Sequence, residues 1–155
     1  MKKKWIYIVN IAAALAVGAL SALVSGNMDV FQDIEKPPLT PHAALFPIVW
    51  TILFTLMGIG ISLVLTSNSK AEQKKESLKL YIAQLIFNFF WSVLFFKLRL
   101  FGVAFFWLLA LWVLIVLMTL SFRKSSRLAA YLQIPYILWV AFAGYLNLYI
   151  YFLAK

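Results

Sequence analysis

The residues of this chain that could do chemistry carry no charge. Asn88, Trp91 and Ser92 stand at i, i+3 and i+4, so on a helix they share one face. Trp139, Ala143 and Asn147 stand at i, i+4 and i+8 and do the same, with Tyr136 nearby. Trp50, Thr51 and Phe54 open a further apolar stretch. Two faces that each present a tryptophan and an asparagine can converge in a helix bundle. The space between them would be apolar and aromatic, with a few amide and indole donors, and would suit a flat apolar ligand with polar edges. The same asparagines would serve as interhelical hydrogen bonds, and the same tryptophans as an interfacial belt. Residue type and spacing leave these readings open.

Other chemistry is harder to build. The chain has no cysteine, so disulfides, thiolate nucleophiles and cysteine metal sites are excluded. A single histidine without carboxylates near it makes no ordinary zinc or iron site, and no metal is expected. His42 could ligate a haem iron axially or serve as a polar loop residue. No base lies near any serine within the apolar stretches, so hydrolytic triads have no support. Gly58-Ile59-Gly60 lies deep in an apolar run and reads as helix packing, not as a phosphate loop.

The positioning elements are membrane spans. The chain is 155 residues long, 65% hydrophobic and 12% charged. That leaves too few charged residues to cover the surface of a soluble domain, and part of its solvent must be lipid. The net charge of +9 comes from residues in loops and at the N-terminus, while the aromatics lie inside the spans. This arrangement suits a bilayer and not a nucleic-acid partner. Apolar runs predict an all-α integral membrane protein, a bundle of five transmembrane helices forming one membrane domain over 1–155. The spans are about 5–25, 46–66, 80–96, 101–122 and 128–153, the third being short. Their length and the lack of period-two alternation argue against a barrel. Lys2-Lys3-Lys4 before an apolar run has the look of a signal peptide, but the run is long enough to be retained as the first helix.

All fourteen basic and all five acidic residues fall outside these spans. No ionisable group is therefore expected at membrane depth to couple ions or relay protons. Ten basic residues fall on the side of the N-terminus and four on the other. The positive-inside rule places the N-terminus in the cytoplasm, with the C-terminus and the 26–45 loop outside. The polar stretch Ser67–Ser77 reads as a solvated connector. Ala14, Gly18, Ala22 and Gly26 form a smooth stripe, expected to pack within the molecule or in a homodimer. Pro37, Pro38 and Pro41 stiffen the 26–45 loop, and Pro47 follows in the next span. The loop reads as a rigid lid above a helix with Trp50 in its first turn.

Lys36-Pro37-Pro38-Leu39-Thr40-Pro41 followed by Phe46-Pro47-Ile48-Val49-Trp50 resembles the translocator protein family, also called tryptophan-rich sensory proteins or peripheral benzodiazepine receptors. The resemblance continues through Asn88-Phe89-Phe90-Trp91-Ser92, Pro135-Tyr136-Ile137-Leu138-Trp139 and Ala143-Gly144-Tyr145-Leu146-Asn147, and so covers essentially the whole chain. It implies a bacterial-type member in a bacterial plasma membrane that takes porphyrin, haem or another apolar small molecule as ligand and requires no cofactor. Synthetic isoquinoline and benzodiazepine ligands belong to the same expectation. The implied binding residues are Pro41, Trp50, Phe54, Asn88, Trp91, Ser92, Trp139, Ala143 and Asn147. The resemblance also implies two alternatives. One is light-dependent degradation of protoporphyrin, with Trp50 and Trp139 as participants. The other is facilitated transport of tetrapyrroles or sterols. The chain departs from the family pattern at Val30-Phe31, Leu39, His42, Ala44 and Trp107.

Overall fold

The structure, a computed structural model, describes residues 2–26, 38–42 and 44–153. Its helices are α1 (Lys2–Ser25), α2 (Leu45–Leu65), α3 (Ala71–Ser92), α4 (Phe101–Ser125), α5 (Arg127–Tyr131) and α6 (Ile134–Leu153). Among the described residues there is no strand. Five helical units are long and apolar enough to cross a membrane, the fifth being α5 and α6 together. The chain is thus an all-α integral membrane protein. Neighbours in sequence are neighbours in space: α1 packs on α2, α3 on α4, and α4 on α5 and α6.

Three boundaries differ from the sequence expectation. The third span begins at Ala71 rather than near Leu80 and runs on to Lys97. Residues 71–77 are therefore the opening turns of a helix and not connector. Their composition (Ala, Glu, Gln, Lys) forms helix well, and Glu72 lies in the first turn, where a negative charge suits the dipole. The charged residues 72–79 accordingly ride on α3, ahead of its apolar part. At its far end α3 passes into a π-helical turn, Val93–Lys97. This turn sets Phe95 stacked on the Trp91 ring at 5.1 Å and Phe96 edge-on at 5.9 Å. The fifth span is broken at Leu132–Gln133, where Pro135 occupies the first turn of α6, a position that needs no intrahelical amide.

In lipid the apolar surface faces outward and the polar surface has nowhere to go but in. Helix α3 shows this along its whole length. Ser77, Tyr81, Gln84, Asn88 and Trp91 are buried, while Ile82, Ile86 and Phe90 are exposed. Near the end that carries Lys70 and Arg123, the Ser77 and Ser121 hydroxyls are 2.7 Å apart, and Gln73 Nε2 donates to the Ser121 carbonyl at 2.9 Å. Interhelical polar bonds of this kind contribute on average about 0.6 kcal/mol each in a membrane bundle.

Helices α1 and α2 approach closely at Gly58. An added Cβ at Gly58 would lie 2.6 Å from the Ile11 Cα and 2.8 Å from its nitrogen. Beside it, Asn10 Nδ2 donates to Ser62 Oγ at 3.0 Å, and that hydroxyl donates to the Gly58 carbonyl at 2.7 Å. The small-residue stripe of α1 is used within the molecule over part of its length. Ala14 is fully buried, and an added Cβ at Gly18 would meet the Phe54 ring at 2.7 Å. Ala22 is exposed, and Gly26, with φ 72°, terminates the helix. Gly58→Ala is expected to destabilise the bundle by roughly 1–3 kcal/mol, because backbone cannot yield to the new methyl. Gly144→Ala, whose methyl would lie at an ordinary 3.4 Å from Leu108 Cδ2, serves as the tolerated control. Unfolding midpoints of the two variants in mixed micelles measure the contrast.

Candidate functional site

The inward residues of α2, α3 and α6 meet in one aromatic and amide cluster. Trp50 contributes the central ring. Its centroid lies 5.8 Å from Phe54, 6.5 Å from Trp91 and 6.3 Å from Tyr136, which meets it edge-on. Asn88 Nδ2 donates to Tyr136 Oη at 2.7 Å, and that hydroxyl donates to Gln84 Oε1 at 2.6 Å. Gln84 Nε2 in turn points to the Met57 sulfur at 3.7 Å, a weak acceptor. One layer away, Trp91 Nε1 donates to Asn147 Oδ1 at 3.1 Å, and Asn147 Nδ2 donates to the Phe101 carbonyl at 2.7 Å. Tyr136 is 1% exposed, Asn88 2%, and Gln84 and Asn147 0%.

The sequence-predicted residues divide between this cluster and its margins. Trp50, Phe54, Asn88, Trp91 and Asn147 come together, and Ser92 and Ala143 are buried on the same helices. Trp139 stands apart. On α6, Tyr136 and Asn147 lie within roughly 20° of one another at about 100° per residue, whereas Trp139 is roughly 80° round from Asn147. Tyr136 therefore takes the inward position, and Trp139 packs against Phe46 at 5.7 Å and Phe142 at 5.6 Å. Among the described residues its buried indole nitrogen has no hydrogen-bond partner. There Trp139 borders an apolar cleft of about 430 Å³ between α2 and α6, which Ile52 and Leu138 also line. Thr51 turns to its own helix, donating to the Pro47 carbonyl at 2.7 Å.

Only part of the proline loop is described; Val30, Phe31, Lys36 and Pro37 lie outside the described residues. Pro41 is half-buried. The Tyr145 hydroxyl donates to the Pro38 carbonyl at 2.6 Å and so ties the loop to α6. His42 Nδ1 accepts the Ala44 amide at 3.2 Å, and its carbonyl accepts the Leu45 amide at 2.9 Å. In this arrangement His42 shapes the entry to α2. Leu39, at φ 70°, holds a left-handed conformation that costs a leucine energy.

Two further indoles act as helix ties. Trp107 Nε1 donates to the Phe87 carbonyl at 2.8 Å while its ring stacks on Phe87 at 4.4 Å. Trp112 Nε1 donates to the Ile137 carbonyl at 3.1 Å. Sequence reasoning passed over Gln84 altogether, although it stands one turn before Asn88 on the same face.

Asn147 links α3, α4 and α6 through a single amide. Asn147→Leu leaves the Trp91 indole N–H and the Phe101 carbonyl without that partner and is expected to cost roughly 1–2 kcal/mol. Unfolding of the variant in mixed micelles tests this, and an unchanged midpoint would show that the amide carries no net stabilisation.

Comparison with known proteins fits this architecture. The sequence profile of the TspO/MBR family matches residues 9–153. A tryptophan-rich protein TspO of Chlorobaculum tepidum is 38% identical over 117 residues, 76% of this chain and 74% of the relative. A tryptophan-rich sensory protein of Cereibacter sphaeroides is 26% identical over 147 residues, 95% of this chain and 90% of the relative. The translocator protein of Ovis aries is 33% identical over 118 residues, 76% of this chain and 70% of the relative. The matched region reaches into all five spans and contains the whole Trp50, Asn88, Trp91, Tyr136 and Asn147 cluster. On that match, the chain belongs to the TspO/MBR family.

Proposed function

We propose that this chain is a membrane receptor or sensor for porphyrin-type tetrapyrroles and other flat apolar ligands, held within the helix bundle. The observation that carries the reading is the surround of Trp50: three further aromatic rings within 6.5 Å and a buried amide pair beside them. Such a surround offers what a flat conjugated ligand needs. Ring faces provide stacking, apolar walls provide desolvation, and a few directed donors and acceptors fix its orientation. Family membership supports the same reading. The cleft beside Trp139 opens between α2 and α6, so a ligand dissolved in the bilayer would not have to cross water to reach the bundle.

The proposed orientation follows from charge. Lys2–Lys4, the basic residues of α3 and the α4–α5 junction share one end of the bundle, which the positive-inside rule assigns to the cytoplasm. The described part of the proline loop, residues 38–42, then lies at the outer end. In this reading the protein acts by changing its own stability, or its contacts with partners, when ligand is bound.

Protoporphyrin IX titrated into the purified protein is expected to quench tryptophan fluorescence saturably. Trp50→Leu, which removes the central ring, is expected to weaken binding about threefold to tenfold, the worth of one aromatic contact beyond its buried area. Trp5→Leu, at a residue that is 58% exposed, is expected to leave the affinity unchanged. A linear, non-saturating quench of the native protein would overturn the reading.

A further inference from the structure

The inward polar groups at mid-bundle are occupied, and what occupies them is the protein itself. The Tyr136 ring meets Trp50 on α2 edge-on at 6.3 Å, while its hydroxyl is bonded to the Gln84/Asn88 pair on α3. A flat ligand stacked on Trp50 could reach those amides only by taking the place of the phenol. We infer that Tyr136 is a built-in competitor for the ligand site, which holds the pocket closed and selects which ligands can open it.

The selection follows from the hydrogen-bond directions. Tyr136 Oη accepts from Asn88 Nδ2 and donates to Gln84 Oε1. Displacing it leaves one N–H and one amide oxygen unpaired, a turn apart on α3, in a dry interior where each unpaired group is costly. A ligand edge that both donates and accepts repairs both. A carboxylic acid, a hydroxyl or a lactam can do so, and in an apolar interior a carboxyl group binds in its neutral, O–H-bearing form. An edge that only accepts, such as an ester, satisfies Asn88 and leaves Gln84 bare. The resting contact of Gln84 Nε2 with a thioether leaves that amide weakly held and able to turn towards a ligand. The break in the helix at Leu132–Gln133, just before Pro135, lies within one turn of Tyr136 and gives its backbone a place to shift.

This inference rests on the receptor reading for its ligand and not for its geometry, so the experiment has two arms. In the first, purified full-length protein and Tyr136→Phe are titrated with protoporphyrin IX and with its dimethyl ester. Removing the competing hydroxyl is expected to tighten the free acid about threefold to eightfold, the equivalent of one to two interhelical hydrogen bonds no longer broken on binding. The ester is expected to gain by a similar factor, because the bonds lost in the variant belong to the ligand-free protein, and to bind more weakly than the free acid in both proteins, because it leaves Gln84 unpaired. The ligand-free variant should meanwhile unfold at a lower temperature. A merely structural role for Tyr136 predicts weaker or unchanged binding of both ligands, and either result, or equal affinity of acid and ester for the variant, overturns the inference. In the second arm, Tyr136→Ala is incubated with p-cresol or with toluene. The cresol hydroxyl is expected to raise the unfolding midpoint more than toluene does, because it restores both bonds to α3. Equal effects overturn the inference. If the native protein binds neither porphyrin, the receptor reading fails and the cresol arm alone decides whether the Gln84/Asn88 pair takes an external donor and acceptor.

Discussion

In a bundle surrounded by hydrocarbon, apolar burial distinguishes poorly between helix arrangements, because lipid tails solvate leucine as well as a neighbouring helix does. Polar groups carry the discrimination instead. The hydroxyl of Tyr136, held between Gln84 and Asn88, joins α6 to the middle of α3. The Asn147 amide joins the same two helices one layer away and adds α4 through Phe101. Gln133 fixes the other side by donating to the Leu56 carbonyl of α2 at 3.1 Å. Moving α6 by one residue in register would break all of these at once. The positions of Trp50, Trp91 and Phe54 depend on that register, since their rings fill the space the bonds define.

The aromatic residues serve two distinct purposes. Trp107 and Trp112 use their N–H groups to tie neighbouring helices by bonding to main-chain carbonyls, and Phe87 and Phe90 flank Trp107. These are structural staples near the lipid. Trp50, by contrast, is packed among rings next to the amide pair. Trp139 belongs to a third environment, between the bundle and the lipid-side cleft. Trp50 and Trp139 thus belong to two neighbouring aromatic groups.

Much of the fold was legible because long apolar runs have few alternatives in a bilayer. The start of α3 was not, for a physical reason. Counting apolar residues finds a helix by what faces lipid, and the first turns of α3 face Ser121 with Gln73 and Ser77. The site was legible as a convergence of Asn88, Trp91 and Asn147, whose spacings put them inward. Its centre was not, because an i, i+4, i+8 line drifts round the helix. That line led to Trp139, while the residue three turns from Asn147 is Tyr136. Gln84 carries the same spacing signal as Asn88, four residues earlier on the same face. The left-handed backbone at Leu39 has no sequence signature, since glycine would be the ordinary residue for it.

The bonds of the last span reach back to three helices made before it, to Leu56 on α2, to Gln84, Asn88 and Trp91 on α3, and to Phe101 and Trp112 on α4. A chain leaving the ribosome can pair α1 with α2 and α3 with α4 as each hairpin is inserted, because those contacts are local. Until α6 arrives, the amides of α3 face a seam with no partner. The amide and aromatic cluster is therefore completed only once the fifth span has been made, and a nascent chain stalled before that span would be a membrane-inserted but recognisably incomplete product, displaying polar side chains to lipid.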